Sequence, residues 1–414
     1  MREYWRLLRD QTSLLTYGVA LTFMSSVGQT FLVSLFVPSF IASFVLSEGG
    51  FGLLYSGATL GSAFLLPWIG RRMDRDHLHH FTLGVVGLLA GSAFLMASAW
   101  HVSVLAVALL GVRLGGQGLS SHTALTAMAR YFEAGRGRAL SISSLGFPLG
   151  ESVLPLLLTL VIGWWGWRSA WVVLGAAVIA FGPMLVRLLL RSGIELHPVK
   201  AAAAARAREE TEEAEARRHL PLTHTPAEVL KDTRFWLILP AVVLPAFWGT
   251  GFILYQTAIA ATSGWSAPLM ASAFVGLAVA RIVFTLGAGG IVDRFTARRL
   301  FPLTVLPMAA GIGLLGLHDA WWVAYAFMAL LGVTFGLNGA TETALWAELY
   351  GTRHLGAIKS MLTSVVVVST ALSPPLVGFV VEAGGLGELL AAAAATTVVG
   401  SLMGTRLWAG MPAR

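Results

Sequence analysis

The sequence predicts an all-α membrane protein with twelve transmembrane helices in two pseudo-symmetric six-helix bundles, and three observations support this prediction. First, 56% of the 414 residues are hydrophobic and only 12% are charged, whereas about 25% are charged in typical soluble proteins. Second, uncharged runs long enough to cross a bilayer recur along the chain, as in 11–47, 81–112 and 235–280. Third, one charged turn occurs twice, once in each half of the chain.

The apolar runs place the individual spans in order. The first run is too long for the apolar region of a cleavable signal peptide, so we count it as a span. Short connections, such as 163–168 and 263–267, make consecutive spans neighbours in the bundle. We expect spans at 14–42, 51–70, 81–100, 103–128, 138–162, 169–189, 235–262, 268–290, 300–317, 320–345, 356–381 and 389–408.

The net charge of +7 reflects topology rather than nucleic-acid binding. With the N-terminus in the cytosol, all of the 28 Lys and Arg residues except Arg113, Arg168 and Arg281 fall in cytosolic loops or at cytosolic helix ends. This is the positive-inside pattern of a multi-pass protein. We therefore expect a monomer in the cell (inner) membrane with both termini in the cytosol. The chain has no cysteine, so disulfides and thiolate chemistry are excluded.

The chain is internally duplicated. Gly70-x-x-x-Asp74-Arg75 follows the second span and Gly289-x-x-x-Asp293-Arg294 ends the eighth. Pro155 and Pro374 keep the same spacing as the two aspartates. Parallel repeats of six spans are typical of secondary transporters that bind substrate near the membrane midplane. The predicted domains are an N-terminal bundle (1–190), a linker (191–231) and a C-terminal bundle (232–414).

The linker is the one stretch that looks soluble. Mixed charges on strong helix formers between Ala201 and Arg218 predict a solvated cytosolic helix within it. A spacer is the expected role, and a regulatory or partner-binding role is the alternative.

The repeated Gly-x-x-x-Asp-Arg turn resembles the signature loop of the major facilitator superfamily. The resemblance implies that Asp74, Arg75, Asp293 and Arg294 belong to cytosolic latches that stabilise the outward-open state. The two loops depart from the family pattern in different ways. The glycine expected three residues after Asp is His77 in one loop and Thr296 in the other, and the following basic pair is His79-His80 in one and Arg298-Arg299 in the other. We interpret the three histidines as an interfacial cluster rather than a metal site, although a pH-sensitive latch is an alternative.

A second stretch is similar to the fifth-span motif of monocarboxylate transporters. It runs from Phe132 through Arg136 and Arg138 to Gly146-Phe-Pro148-Leu-Gly150. Gly166-Trp167-Arg168 at the sixth span also resembles that family. The first span reads Ser26-Val27-Gly28-Gln29-Thr30 where that family has an Asp-Gly-Gly-Trp type of opening. The resemblance therefore implies a distant, bacterial-type relative whose substrate is not inherited.

Arg281, near the middle of the eighth span, is the main candidate for substrate binding. A guanidinium at this depth costs roughly 2.5–3.5 kcal/mol on insertion scales, so it should face protein or a watery cavity. The planar guanidinium can bind both oxygens of a carboxylate through two hydrogen bonds, and it stays charged. The alternative is a structural ion pair with an acid on a neighbouring helix.

Three further charged residues are candidates for proton coupling. Glu151 lies mid-span, where a low dielectric favours the protonated carboxyl and allows proton loading and release. Arg113 precedes Gly-Gly-Gln117-Gly118 and resembles a fourth-span motif of the superfamily associated with proton coupling, with one extra residue before the glutamine. Glu342, deeper toward the cytosol, is the second choice for a proton carrier. Ion pairing of Glu151 with Arg113 or Arg281, and a gating role for Glu342, are the alternatives.

Five polar or amphipathic side chains near mid-depth are candidates for lining a substrate pocket around Arg281. Such groups orient a ligand in an otherwise apolar pocket, although each of them can equally serve helix–helix packing. They are Gln29, Thr30, Trp248, Tyr255 and Gln256.

The chain shows no phosphate-binding loop, nucleophile–histidine pair or metal-ligand spacing. We therefore predict that it is not an enzyme, needs no cofactor and does not use ATP directly. The predicted function is proton-coupled secondary transport of a small organic anion, monocarboxylate-like, by alternating access. The expected partners are a small-molecule substrate, protons and the lipid bilayer, with no nucleic acid. Alternatives are a proton-driven efflux antiporter for cationic or amphipathic compounds and a non-transporting membrane receptor.

Overall fold

The computed structural model describes residues 11–74, 76–132, 135–193, 224–351 and 353–408, and within these ranges it contains helices and no strand. Ten helices in this part of the chain are long and apolar enough to cross a membrane, and a bent pair at 12–44 adds another. The longest helix has a non-helical Gly166 (φ 80°, ψ 167°) that divides it into the fifth and sixth spans. The described residues therefore supply twelve spans, and the predicted all-α fold class is confirmed.

The observed helix bounds agree with the predicted spans to within a few residues, apart from local breaks. The first six spans comprise Thr12–Met24 with Ser25–Gly28, Thr30–Val33, Ser34–Phe36 and Val37–Phe44; Glu48–Gly70 with Arg71–Asp74; Leu78–Ala97; Val102–Val112 with Arg113–Ser120 and Ser121–Tyr131; and Arg136–Ser144 with Gly146–Arg191. The last six comprise Thr233–Leu254 with Gln256–Thr262; Ala267–Phe295; Ala297–Leu300, Phe301–Val305 and Leu306–Leu317; Trp321–Tyr350; Leu355–Glu382; and Leu386–Thr405 with Arg406–Trp408.

The chain forms two compact units. Unit 1 consists of Met1–Leu46 and Leu54–Glu209, and unit 2 consists of Ser47–Leu53 and Glu210–Arg414. The domain limits that we placed at 190 and 231 stay predictions. The charged linker helix predicted between Ala201 and Arg218 lies outside the described residues. The described end of the linker contains the short helix Pro226–Lys231.

Glycine contacts bring the first span of unit 1 against the fourth and fifth spans. A Cβ added at Gly28 would collide with the carbonyl of Val112, and one at Gly146 would collide with Thr22. The Thr22 hydroxyl donates a hydrogen bond to the Ser143 carbonyl at 2.6 Å. Small residues let membrane helices approach closely, so these glycines determine how near the first span lies to its neighbours.

In unit 2, glycines likewise allow the eighth and tenth spans to come close together. A Cβ at Gly336 would lie 2.8 Å from the carbonyl oxygen of Arg281, and one at Gly332 would collide with the carbonyl of Leu277. These glycines are spaced four residues apart, so they lie on one face of the tenth span. The backbone of the eighth span is therefore fixed against the tenth span at the turn that carries Arg281.

The linker's described end is anchored to the end of the tenth span in unit 2. Thr225 and Glu228 form a capping box at the start of Pro226–Lys231, and hydrogen bonds from the Thr225 amide and hydroxyl lower the pKa of the Glu228 carboxyl. Val229 is fully buried in a cluster that includes Trp346. The His224 amide donates to the Tyr350 carbonyl at 3.3 Å. Packing and backbone hydrogen bonds therefore fix where the linker enters unit 2.

Candidate functional site

The first span is interrupted where its predicted site residues lie. Gln29 adopts an extended conformation (φ −79°, ψ 153°) between two helical segments, which bend by 44°. A break of this kind leaves backbone carbonyls without their helical partners. The guanidinium of Arg113 donates a hydrogen bond from Nη1 to one of these carbonyls, that of Gly28, at 3.0 Å.

Two side chains complete the environment of Arg113 within unit 1. The Thr30 hydroxyl lies 3.5 Å from Nη1 and accepts a hydrogen bond from the Tyr55 hydroxyl at 2.8 Å. The Arg113 guanidinium lies 4.8 Å from the centre of the Tyr55 ring, a cation–π distance. Arg113 is only 4% exposed. The structure thus brings together Arg113 and Thr30, which the sequence singled out, and adds Tyr55, which it did not.

The fourth span is π-helical from Arg113 to Ser120. An inserted residue is commonly accommodated by a π-helical turn, and such turns occur frequently at functional sites. This stretch contains the extra residue noted before Gln117 in the fourth-span motif. A Cβ at Gly116 would lie 2.5 Å from the Gly28 amide nitrogen, so the widened turn packs directly against the break in the first span.

The break in the first span and the burial of Arg113 depend on each other. An interrupted helix in a bilayer exposes carbonyl groups that lipid cannot satisfy, and a buried guanidinium lacks acceptors unless its surroundings supply them. The hydrogen bond between Arg113 and Gly28 gives the carbonyl a donor and gives Nη1 of the guanidinium an acceptor. Gly28 and Gly116 allow the two spans to come near enough for this contact. Loss of either partner would leave the other uncompensated in a low dielectric.

Glu151 lies in the fifth span, within unit 1. It is 8% exposed and follows Gly150, where an added Cβ would collide with the Ser26 hydroxyl two residues before Gly28. Glu151 is therefore placed close to the interrupted segment. The contacts that the structure describes for Arg113 are those with Gly28, Thr30 and Tyr55.

In unit 2, Arg281 is half-buried on the eighth span. Its guanidinium lies 6.0 Å from the centre of the Phe335 ring, at the outer limit of a cation–π contact. Phe335 packs in turn against Gly249 on the seventh span, where an added Cβ would lie 2.8 Å from the ring. Phe335 and Gly336 on the tenth span thus contact the side chain and the backbone of Arg281, respectively.

The other residues predicted to line the pocket in unit 2 have partners of different kinds. The Trp248 indole N–H donates to the Thr396 hydroxyl of the twelfth span at 3.2 Å, and the ring stacks on Phe252. The seventh span is interrupted at Tyr255, whose hydroxyl donates to the Glu48 carbonyl at 2.6 Å. Gln256 is buried at the start of the next helix. Trp248 and Tyr255 therefore make contacts within the protein at the depth where the sequence predicted ligand contacts.

Glu342 lies in the second half of the tenth span, Trp321–Tyr350. Its Oε1 accepts a hydrogen bond from the Trp346 indole at 3.4 Å. Lys359 donates to the hydroxyl of the neighbouring Thr343 at 3.0 Å. Glu342 therefore contacts the end of its own span through Trp346.

The predicted latch residues are only partly described. Arg75 and the side chains of Asp74 and Asp293 lie outside the described residues, and Arg294 is exposed beside Phe295. After the second latch, the carboxylate of Glu348 accepts hydrogen bonds from the Ala297 amide at 3.0 Å and the Arg298 amide at 3.2 Å. Sequence reasoning missed Glu348, since an acid at the end of a span carries no distinctive signal.

The three histidines after the first latch lie close together, with 4.0 Å between the ring centres of His79 and His80. Among the described residues, no group of three or more His, Cys, Asp or Glu side chains is arranged to hold a metal ion. The interfacial role that we expected for this cluster stays a prediction.

Taken together, the twelve apolar spans define a polytopic membrane protein with charged side chains inside its spans. A sequence model of the Major Facilitator Superfamily matches residues 19–280, and the chain belongs to that family. It thus belongs to a family of membrane transporters rather than of enzymes, as the sequence predicted.

One curated relative and several solved structures are similar to the chain. Mouse (Mus musculus) monocarboxylate transporter 12 is 25% identical over 320 residues, and the match covers 72% of this chain and 65% of the relative's length. A bacterial homologue of the human lysosomal transporter Spinster, in an inward-facing and unoccupied conformation, aligns with a TM-score of 0.71 at 16% identity, covering 98% of this chain and 99% of that one.

Two further solved structures share the fold. The nucleoside transporter NupG aligns with a TM-score of 0.69 at 13% identity, covering 96% of this chain and 99% of that one. A D-xylose–proton symporter aligns with a TM-score of 0.66 at 18% identity and covers 97% and 98% of the two chains. These similarities establish the fold. They do not identify the substrate, which has to be inferred from the chemistry of the site.

We predict that Gly249→Ala impairs transport by displacing Phe335 toward Arg281. The new Cβ would be 2.8 Å from the Phe335 ring, and overpacking of this kind costs about 1–3 kcal/mol. Substrate uptake in proteoliposomes should fall while the protein remains folded, and adding Phe335→Leu should restore much of the lost activity.

Gly313→Ala is the matched control, because an added Cβ there meets no atom within 4 Å; it should leave uptake unchanged. Full activity of Gly249→Ala would contradict the idea that packing of Phe335 against Gly249 positions Arg281. Failure of Phe335→Leu to restore the activity of Gly249→Ala would contradict it as well.

Proposed function

We propose that the protein is a proton-coupled secondary transporter of a small organic anion, monocarboxylate-like, that works by alternating access. The observation that carries the proposal is Arg281, a half-buried cation on a membrane span with an aromatic ring beside it. The similarity to a protein named monocarboxylate transporter 12 supports the same substrate class.

The surroundings of Arg281 suit an anion with an apolar body. Its guanidinium can bind both oxygens of a carboxylate, whereas a lysine ammonium acts as a point charge. Phe335 supplies an apolar surface on one side of the cation. The backbone contact of Arg281 with Gly336 fixes the helix that carries it. A rigid cation beside an apolar ring favours a short carboxylate over a large or multiply polar substrate.

Glu151 is the proposed proton carrier. It is almost completely buried in a membrane span, where the low dielectric opposes the ionised carboxylate. Arg113 already has backbone and hydroxyl partners in the break of the first span. We therefore assign Arg113 to stabilising that break, next to the segment against which Gly150, the neighbour of Glu151, is packed. Glu342 is a second candidate carrier nearer the cytosol.

Coupling follows if proton and substrate each favour the same conformation, because two ligands that stabilise one state increase each other's affinity. Interruptions in the first span of each unit, at Gln29 and at Tyr255, supply places where a helix can change its bend. The loops containing Asp74, Arg75, Asp293 and Arg294 are the proposed cytosolic latches. Gln29 and Gln256, next to the interruptions, remain candidates for orienting the substrate.

The topology belongs to the same proposal. The positive-inside pattern places the loops after the second and eighth spans, and both termini, in the cytosol. The proposed location is the cell (inner) membrane, with the protein acting as a monomer.

A proton-driven efflux antiporter for cationic or amphipathic compounds is the second candidate. The observation that favours it is the buried Glu151, which would serve as counter-ion to a cationic substrate, with the aromatic side chains of the spans supplying apolar contacts. The charge of the transported compound distinguishes the two candidates. Short carboxylates would compete with the substrate of an anion carrier, and lipophilic cations would compete with the substrate of the antiporter.

Arg281→Lys should reduce uptake of a short monocarboxylate about tenfold to a hundredfold. The substitution keeps the charge but loses the bidentate interaction with the carboxylate. A hydrogen bond to a charged group contributes about 1.5–3 kcal/mol. Initial uptake rates in proteoliposomes measure the effect. Arg187→Lys, which changes an exposed arginine near the end of the sixth span, should behave as the parent. Uptake of Arg281→Lys close to that of the parent would refute the ligand role.

Glu151→Gln should remove the dependence of net uptake on a pH gradient while leaving part of the substrate exchange intact. Glutamine has a similar shape but cannot bind or release the proton. Uptake and counterflow, each measured with and without an imposed gradient, separate the two activities. Glu388→Gln, at an exposed site, is the control. Proton coupling that survives unchanged in Glu151→Gln would rule this residue out as the carrier.

A further inference from the structure

A cavity lies between the first, fifth and sixth spans, and all of it belongs to unit 1. Met24 and Val27 line it from the first span, Leu154 from the fifth, and Leu174 and Ala177 from the sixth. Every side chain that lines this cavity is apolar, and none of them belongs to the candidate site described above. The cavity is therefore a separate feature of unit 1.

The cavity opens toward lipid between the fifth and sixth spans. Ala177, which lines it, is exposed, and so is Val173 one turn earlier on the same face of the sixth span. On the fifth span, Val153 and Leu157 are exposed on either side of Leu154. Apolar side chains that are exposed within a membrane span face lipid, since acyl chains are as apolar as leucine. Lipid-facing positions therefore surround the mouth of the cavity.

The mouth lies deep in the bilayer. Trp164 and Trp165 are exposed at the end of the fifth span, and tryptophan is enriched at the level of the lipid head groups. Ala177 lies about 15 Å along the helix from Trp167, as the helical rise gives. The hydrocarbon core is about 30 Å thick, so the mouth is close to the midplane. Chain ends of the lipids lie at this depth, and head groups do not.

The chemistry of the walls excludes water and charged ligands. A buried water needs about two to four polar partners, and a carboxylate needs hydrogen-bond donors; the side chains of this cavity supply neither. The cavity holds about 320 Å³ of empty space, counted out to its open mouth. Sites for drug-sized ligands measure about 300–1,000 Å³, so this cavity suits the end of one hydrocarbon chain rather than a whole lipid.

We propose that the cavity binds the terminal part of a phospholipid acyl chain. The chain would pack against Met24 and Val27, just before the first span is interrupted at Gln29. An unfilled void leaves the atoms around it without dispersion contacts on one side, and the acyl chain restores these contacts. The lipid thereby becomes part of the packing that supports the first span beside its break.

Photochemical labelling of the full chain tests this proposal. The protein is reconstituted in vesicles that contain a phosphatidylcholine with a diazirine near the methyl end of one acyl chain, illuminated, and mapped by peptide mass spectrometry. We expect lipid adducts on Met24 and Val27, although they are only 3% and 4% exposed. Leu158 is 3% exposed on the fifth span and does not line the cavity, so it reports the background.

A second lipid tests the depth of the mouth. The same diazirine placed next to the head group should leave Met24 and Val27 at the background level of Leu158, because only the end of a chain reaches the midplane. The exposed Val173 should be labelled by the first lipid in every variant, which confirms contact with the probe.

Two substitutions fill the cavity from different walls. Ala177→Phe and Leu154→Phe should each reduce labelling of Met24 to the level of Leu158, because the added ring occupies the space of the chain. Ala176→Phe and Leu157→Phe are the matched controls, since both residues are exposed on the same spans and do not line the cavity. Labelling of Met24 in the controls should equal that in the parent.

Labelling of Met24 and Val27 in the parent no stronger than that of Leu158 would overturn the proposal. Undiminished labelling of Met24 in both filled variants would overturn it as well, as would an equal loss in the two controls. If one filled variant does not fold, the other decides, and the comparison of the two lipids in the parent needs no variant. No substrate is present, so a negative result would leave the proposed transport function untouched.

Discussion

A charge inside a membrane needs a partner of opposite polarity, and this constraint dominates the organisation of the protein. Each unit carries one arginine well within a membrane span, Arg113 in unit 1 and Arg281 in unit 2. Their surroundings differ. Arg113 is enclosed by a backbone carbonyl, a hydroxyl and an aromatic ring. Arg281 lies half-buried beside an aromatic ring. In the proposed function, Arg113 stabilises the break in the first span and Arg281 binds the transported anion.

Much of the fold was predictable because hydropathy alone constrains it. The twelve spans follow from apolar runs, since only helices and closed barrels satisfy backbone groups in hydrocarbon. The duplicated loop motif pointed to the superfamily, and the family match bears that out. The extra residue before Gln117 was visible in the sequence, and the structure accommodates it as a π-helical turn. The interruptions at Gln29 and Tyr255 were not predicted, because long-range contacts with Arg113 and Glu48 stabilise them.

The candidate site was less predictable than the fold. Depth in the membrane can be read from the sequence, but the direction a side chain faces depends on how its helix is rotated against its neighbours. Trp248 and Tyr255 lie on the expected span, yet their polar groups bond Thr396 and Glu48. Nothing in the sequence marks Phe335 or Glu348 as functional residues, since a phenylalanine in an apolar span and a glutamate at the end of a span are both common. Their importance comes from contacts with Arg281 and with the segment after the second latch.

The central claim is that the cation of unit 2 recognises a negatively charged substrate, and equilibrium binding to the purified transporter tests it most directly. Titration of a short monocarboxylate should give saturable binding with one site per chain, competed by other short carboxylates and unaffected by lipophilic cations. Arg281→Gln should abolish that binding while the protein remains folded. Saturable binding of a lipophilic cation, with carboxylates inert and Arg281→Gln without effect, would contradict the account.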